Sequence, residues 1–188
     1  MAQSGRNTGV PTNYVHVYTG VPQQDSGHEQ LADSDVLVIG SLKNSELLNP
    51  ILQGSAFSLN ETSLEINTPD TLRHVISLLK GDWSRNDADA ASYLSDTNQW
   101  RGFLSLRSPW NPQRVVVVAT ATDGKQLQLL PVDMNKPAFH AGATGDMTLV
   151  SGTEDIKSWR VGDTFTTGDL PGYLHILWYA SQHIFFLA

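Results

Sequence analysis

Cysteine is absent from the 188 residues, which removes disulfides, thiolate metal sites and cysteine nucleophiles together. It leaves the compartment open, because a protein in an oxidising space can do without bridges. Cationic charge is scarce: 12 lysines and arginines stand against 19 acidic residues, a formal net charge of −7. A nucleic-acid partner would require cations to displace phosphate counterions, and no local basic cluster supplies them. Nucleic acid is therefore not expected as a partner. Glycine is missing where a dinucleotide site would demand it, since Gly40-Ser41-Leu42-Lys43-Asn44 carries a single glycine after an apolar run. That fingerprint needs three, so that backbone can approach a pyrophosphate. The Walker pattern and the Gly-x-Ser-x-Gly elbow are absent too.

Long hydrophobic runs are also lacking. Residues 1–9 are polar and offer no apolar stretch for a signal peptide. The apolar stretch from Leu174 to Ala188 is broken by Ser181-Gln182-His183, and it falls short of the roughly 20 apolar residues that a spanning helix needs. Two readings remain for it: a helix packed on the core, or a span that continues past Ala188.

What is present is enough for one domain. With 40% hydrophobic and 16% charged residues, the composition excludes a wholly disordered chain. Asp35 to Gly40 and Arg114 to Thr120 are continuous β-branched runs, the pattern of strands covered on both faces. Each is followed by a helix candidate. Ser41 to Leu48 has Ser41 or Asn44 as its cap, and Asp123 to Leu130 is expected to stop at Pro131. Repeated strand, turn and helix predict βα units. Leu72, Val75, Ile76 and Leu79 have helical spacing, and Asn86 to Leu94 reads as a helix with an acidic start. Alternation on either side of Asn60-Glu61 predicts a hairpin. Further strand candidates are Asn13 to Tyr18, Trp100 to Leu106, Met147 to Val150 and Lys157 to Val161. The segment Met134 to His140 looks poor in helix formers, so that crossover is expected to be irregular.

Reactive side chains form no convincing constellation. The six histidines, His16, His28, His74, His140, His175 and His183, include no i, i+4 pair beside a glutamate. The pairs Asp33/Asp35, Asp87/Asp89 and Asp163/Asp169 are read first as turn and helix-start residues, because convergence of two carboxyls is not visible in spacing. Trp110 sits in Ser108-Pro109-Trp110-Asn111-Pro112. It is read either as a packed ring or as a platform for a sugar's C–H face.

The C-terminal third carries a resemblance. Ser158-Trp159-Arg160-Val161-Gly162-Asp163-Thr164-Phe165, then Gly168-Asp169-Leu170-Pro171-Gly172-Tyr173-Leu174, then Leu177-Trp178-Tyr179-Ala180-Ser181-Gln182-His183 resemble the end of the bacterial cellulose synthase regulatory subunits. Upstream, Asp35 to Gly40, Gly81-Asp82-Trp83, Arg107 to Pro112, Arg114 to Val117 and Gly145 to Leu149 fit the same order, so the likeness runs from about Leu31 to Ala188. Ile184 stands where the family commonly has proline, and Gly172 where it has a bulky residue. The resemblance implies a flavodoxin-like module from a larger periplasmic protein, cut where a membrane anchor begins. The family is often named for binding cyclic di-GMP, but the negative charge and the lack of an arginine cluster give no support for a nucleotide site here.

Together these readings set the expectation. The fold is an α/β three-layer sandwich, flavodoxin-like, with a mainly parallel sheet and helices on both faces. Residues 1–12 are a flexible segment, 13–170 the flavodoxin-like domain, and 171–188 an amphipathic membrane-proximal helix truncated before a transmembrane anchor. The expected role is non-catalytic: support of the synthase and of glucan export in cellulose biosynthesis, in the periplasm at the inner membrane. No cofactor, metal or catalytic residue is assigned. The expected partners are the cellulose synthase catalytic subunit, the inner membrane through the anchor, other copies of the chain and the glucan. Leu170, Pro171, Tyr173, Leu174, Leu177, Trp178, Tyr179 and His183 form the expected membrane or partner face, and Trp110 is the candidate glucan contact. The alternative is a carbohydrate-binding module that recognises the nascent glucan through Trp110.

Overall fold

The computed structural model describes residues 15–20, 29, 31–67, 87–153, 155–161 and 183–187. Its strands are β1 (Val15–Thr19), β2 (Asp35–Ser41), β3 (Phe57–Asn60), β4 (Ser63–Ile66), β5 (Trp100–Arg107), β6 (Val115–Ala121), β7 (Met147–Ser151), β8 (Asp155–Trp159) and β9 (His183–Leu187). Its helices are α1 (Ser45–Leu52), α2 (Asp87–Asp96), α3 (Gly124–Asp133) and α4 (Pro137–Gly142). Seven strands make one sheet in the order β1-β9-β2-β6-β5-β7-β8, and β3 and β4 form a separate hairpin. The expected helix at residues 72–79 lies outside the described residues, as do residues 1–12.

The sheet corrects the expectation of a mainly parallel one. β2 and β6 pair in parallel from Val36↔Val116 to Ser41↔Ala121, and β9 pairs in parallel with both β1 and β2. β5 then pairs antiparallel with β6 and with β7, and β7 pairs antiparallel with β8. The physical reason is connection length. Only residues 108–114 join β5 to β6, and only 152–154 join β7 to β8. A parallel return requires a crossover of about a dozen residues or more. These links are too short for anything but hairpins.

Side chains alternate across the sheet into two cores. Val36, Val38, Leu104, Leu106, Val116, Val118, Met147 and Leu149 face one layer, with Leu47, Leu48, Ile51 and Leu52 of α1, Ala90 of α2, and Phe57 and Leu64 of the hairpin. Phe103, Val117, Ala119 and Val150 face the other, with Leu130 of α3 and Phe139 of α4. Helices therefore cover both faces, as expected. Full burial of an aliphatic side chain contributes about 1.5–3 kcal/mol, so the four apolar residues of α1 fasten it firmly. Gly40 makes that contact possible, because a Cβ there would come within 3.1 Å of the Leu47 side chain. It is a packing glycine under α1.

Local chemistry sets the helix ends. The Asp123 carboxylate accepts from the Gln126 backbone N–H at 2.9 Å, an N-cap for α3. Asn44 occupies the N-cap position of α1, but its Oδ1 accepts from the Ser41 hydroxyl at 2.8 Å and caps nothing. α3 does not stop at Pro131 as expected and runs on to Asp133. Proline removes one N–H near the end of the helix, and the Leu130 carbonyl is taken up by the Met134 N–H at 3.0 Å. The segment expected to be irregular contains α4, which starts on Pro137, where proline's missing N–H costs nothing.

The C-terminal expectation needs a correction over five residues. His183–Leu187 form strand β9, inserted between β1 and β2, where a helix over 171–188 was expected. The apolar run Ile184-Phe185-Phe186-Leu187 suits a strand flanked on both edges. The remainder of 171–188 lies outside the described residues.

Candidate functional site

Trp110 lies in the β5–β6 connection and is partly buried against the α1-side core. Its loop is tied down: the buried Ser108 hydroxyl accepts from the backbone N–H of Trp110 at 3.2 Å and of Asn111 at 3.3 Å. The Asn111 side-chain amide donates to the Ala32 carbonyl at 2.8 Å. The ring is thus held against the protein's own interior. Leu170, Pro171, Tyr173, Leu174, Leu177, Trp178 and Tyr179 lie outside the described residues. His183 opens β9, its backbone in register with Val15 and Asp35.

Among the described residues, the carboxylates singled out from the sequence have local roles. Asp35 accepts from the Val115 N–H at 3.1 Å, and Asp87 and Asp89 occupy the first turn of α2. Asp163 and Asp169 lie outside the described residues. His140 is exposed in the last turn of α4, edge-on to Phe139 at 6.2 Å. Among the described residues, no three histidine, aspartate or glutamate side chains gather to hold a metal ion. Among them, too, no helix is long and apolar enough to cross a membrane.

Two buried ionic residues form a clamp. Arg101, in the middle of the sheet, and Asp133, at the end of α3, are 3% and 2% exposed and bonded to each other. Arg101 also donates to the Gln126 side-chain oxygen and to the Gly152 carbonyl, each at 2.9 Å. Lys136 donates to Asp133 at 2.8 Å and to the Thr153 carbonyl at 2.9 Å. Burial by itself pushes the Asp133 carboxyl up, but hydrogen bonds from Arg101 and Lys136, with their charges, outweigh it and hold the group below its ordinary value. The cluster pins the β7–β8 turn to α3, and its charges are spent on these internal bonds. A second group sits over the outer strands. The Tyr93 ring packs on Trp159 with centroids 5.0 Å apart, and its hydroxyl lies 2.9 Å from Ser151 Oγ and 3.1 Å from Asp155 Oδ2. Burial, then the Asp155 carboxylate, pushes that phenol upward against the opposing Ser151 bond.

One concave feature among the described residues was not foreseen from the sequence. A groove of about 430 Å³ lies between the C-terminal turn of α1 and the β3–β4 hairpin. Asn49 of α1 and Gln53, the helix's C-cap, line one side, and Ser58 and Asn67 the other. Pro50, exposed, and Leu59, half-buried, provide apolar surface. Among the described residues, no ionisable side chain lines it. Asn67 is fixed, accepting from the Ser58 hydroxyl at 2.8 Å and donating to the Ser55 carbonyl at 3.2 Å. Asn49 and Gln53 are exposed. The four polar residues are scattered along the chain, in α1, at its C-cap, in β3 and just after β4, and no motif could have marked them.

Comparison with known proteins gives a family. Residues 1–119 match the family model described as "Cellulose synthase BcsB, second FD domain". The chain is 26% identical over 168 residues to the cyclic di-GMP-binding protein of Komagataeibacter sucrofermentans, covering 88% of this chain and 21% of that protein. It is 27% identical over 180 residues to the protein of the same name in Salmonella typhi, covering 94% and 22%. It is also 27% identical over 154 residues to cellulose synthase 1 of Komagataeibacter xylinus, covering 79% and 10%. The chain thus spans about a fifth or less of the length of these relatives.

Proposed function

Because this chain belongs to the family of the second FD domain of cellulose synthase BcsB, we propose that it is a non-catalytic module supporting cellulose synthesis beside the catalytic subunit. One observation carries the reading. A segment similar to this chain makes up 10% of a protein named cellulose synthase 1, and in relatives of other names a similar segment makes up about a fifth. A module found on the same polypeptide as a synthase in one relative is suited to sit against a synthase when it is carried separately. The site chemistry supports a scaffold: the buried Arg101–Asp133 pair, with the more exposed Lys136, braces a turn, and the carboxylates at 35, 87 and 89 serve local backbone or helix-end roles.

Periplasmic placement at the inner membrane, the anchor beyond the chain, association with further copies, and the partner face at Leu170, Pro171, Tyr173, Trp178, Tyr179 and His183 belong to the same proposal. Affinity capture of the tagged chain from detergent-solubilised membranes of a cellulose-producing host, with the catalytic subunit detected by mass spectrometry, tests it. Co-capture that is lost in a Trp178→Ala/Tyr179→Ala variant is the expected result. Absence of the catalytic subunit from the captured material at any detergent strength that leaves it folded sinks the proposal.

A further inference from the structure

We infer that the groove between α1 and the β3–β4 hairpin is a contact site for a neutral polyhydroxylated chain, a β-glucan. The inference rests on the proposed association with cellulose synthesis and adds to it a ligand and a location. An ionic ligand entering the groove would lose hydration without meeting a counter-charge, because the described lining holds no ionisable side chain. A neutral sugar carries no such penalty. Each hydroxyl of a glucan both donates and accepts, and so does each carboxamide, so Asn49, Gln53 and Asn67 match the ligand group for group. Asn49 lies in the last turn of α1 and Gln53 is its C-cap, tied to it by a bond from the Gln53 N–H to the Asn49 carbonyl, and both are exposed where they line the groove. Asn67 is oriented in advance by Ser58 and Ser55, which lowers the ordering cost of binding. Pro50 and the half-buried Leu59 supply apolar surface for the C–H face of a pyranose. A volume of about 430 Å³ lies within the usual range for small-ligand clefts.

Titration of the isotope-labelled chain with cellohexaose, followed by amide NMR, tests the site directly. Chemical-shift changes are expected at the side-chain amides of Asn49, Gln53 and Asn67. An Asn49→Ala/Gln53→Ala variant should weaken binding roughly tenfold, the scale of two lost net hydrogen bonds, with an unchanged thermal midpoint because both residues are exposed. Shifts that map elsewhere, an undiminished response in the double variant, or an equal response to a polyanionic oligogalacturonate each overturn the site. Absence of shifts in a chain that still co-captures the catalytic subunit overturns the groove alone. Shifts at the groove without co-capture leave the groove standing and overturn the association.

Discussion

Around β2 and β6 the molecule is held by apolar interdigitation, with Val36, Val38, Val116 and Val118 meeting Leu47, Leu48, Ile51 and Leu52. Around β5, β7 and β8 the same kind of packing is threaded by buried polar groups. Arg101 and Lys136 hold the carbonyls of Gly152 and Thr153. Asp146 accepts from the Val161 N–H at 2.8 Å and, through its carbonyl, from the Ser105 N–H at 2.7 Å. Ser158 donates to the Gly142 carbonyl at 2.7 Å. The parallel side reaches its neighbours through helices that bury an apolar stripe, so non-directional burial suffices. The antiparallel side turns back on itself in tight links, whose carbonyls must find donors. Polar pins there fix turn and register, and apolar packing supplies most of the stability on both sides.

The most damaging way to break the antiparallel side is Gly102→Val. A Cβ at that position would lie 2.0 Å from the Thr148 carbonyl oxygen and 2.9 Å from Leu149 Cα, which forces β5 and β7 apart. Loss of cooperative unfolding and of soluble yield is expected, read by circular dichroism and expression. A folded variant with near-native stability would show that the two strands are not so closely apposed.

Next in size is a pair of truncations that separates the two kinds of support. Asp133→Ala leaves the Arg101 charge buried and uncompensated and should cost about 3–5 kcal/mol, while Leu48→Ala on the apolar side should cost about 2–5 kcal/mol as a cavity. Only the first has an apolar remedy: Arg101→Met with Asp133→Leu should recover most of the loss, since well-packed apolar pairs can replace buried ion pairs. Urea unfolding of the three variants checks this. A double variant no more stable than Asp133→Ala would mean that the pins on Gly152 and Thr153 matter more than the buried charge.

The smallest effect sharpens the comparison through pH. The folded state holds the Asp133 carboxyl below its ordinary value of 3.8. Its contribution is therefore complete above the unfolded value and drains away as pH falls through the folded one. Asp133→Asn should flatten this part of the acid limb, whereas Leu48→Ala should lower stability by the same amount across it. Urea midpoints measured from about pH 5 down to about pH 2 distinguish the two. Parallel acid limbs in wild type and Asp133→Asn would overturn the assignment.

Much of this was readable in advance, for reasons that differ by element. The β-branched runs of β2 and β6 and the Leu47-Leu48 pair announced a core strand and its covering helix, because burial follows side-chain chemistry. The hairpin at Asn60-Glu61 was equally plain. Its two-residue turn forms as Asn60↔Ser63, and Glu61 adopts φ +54° to close it. Pro131 reads as a stop in the sequence, yet the helix runs two residues further, its Leu130 carbonyl bonded to the Met134 N–H. The sequence leaves Trp110 open between a packed ring and a sugar platform, and Ser108 and Asn111 tie its loop down with the ring partly buried against the core. The groove escaped altogether, since Asn49, Gln53, Ser58 and Asn67 become neighbours only when the hairpin folds back against α1.

The amino-acid order by itself determined which residues go inside, because apolar spacing and β-branching act within a few positions of each other. It also determined the absence of disulfide and thiolate chemistry and, through the residues that carry the resemblance, the family. Strand direction and neighbour choice were decided only in three dimensions. Backbone donors and acceptors are the same at nearly every residue, so the run that forms β5 could have paired either way. Connection length, the close approach at Gly102 and the Arg101–Asp133 clamp selected one pairing.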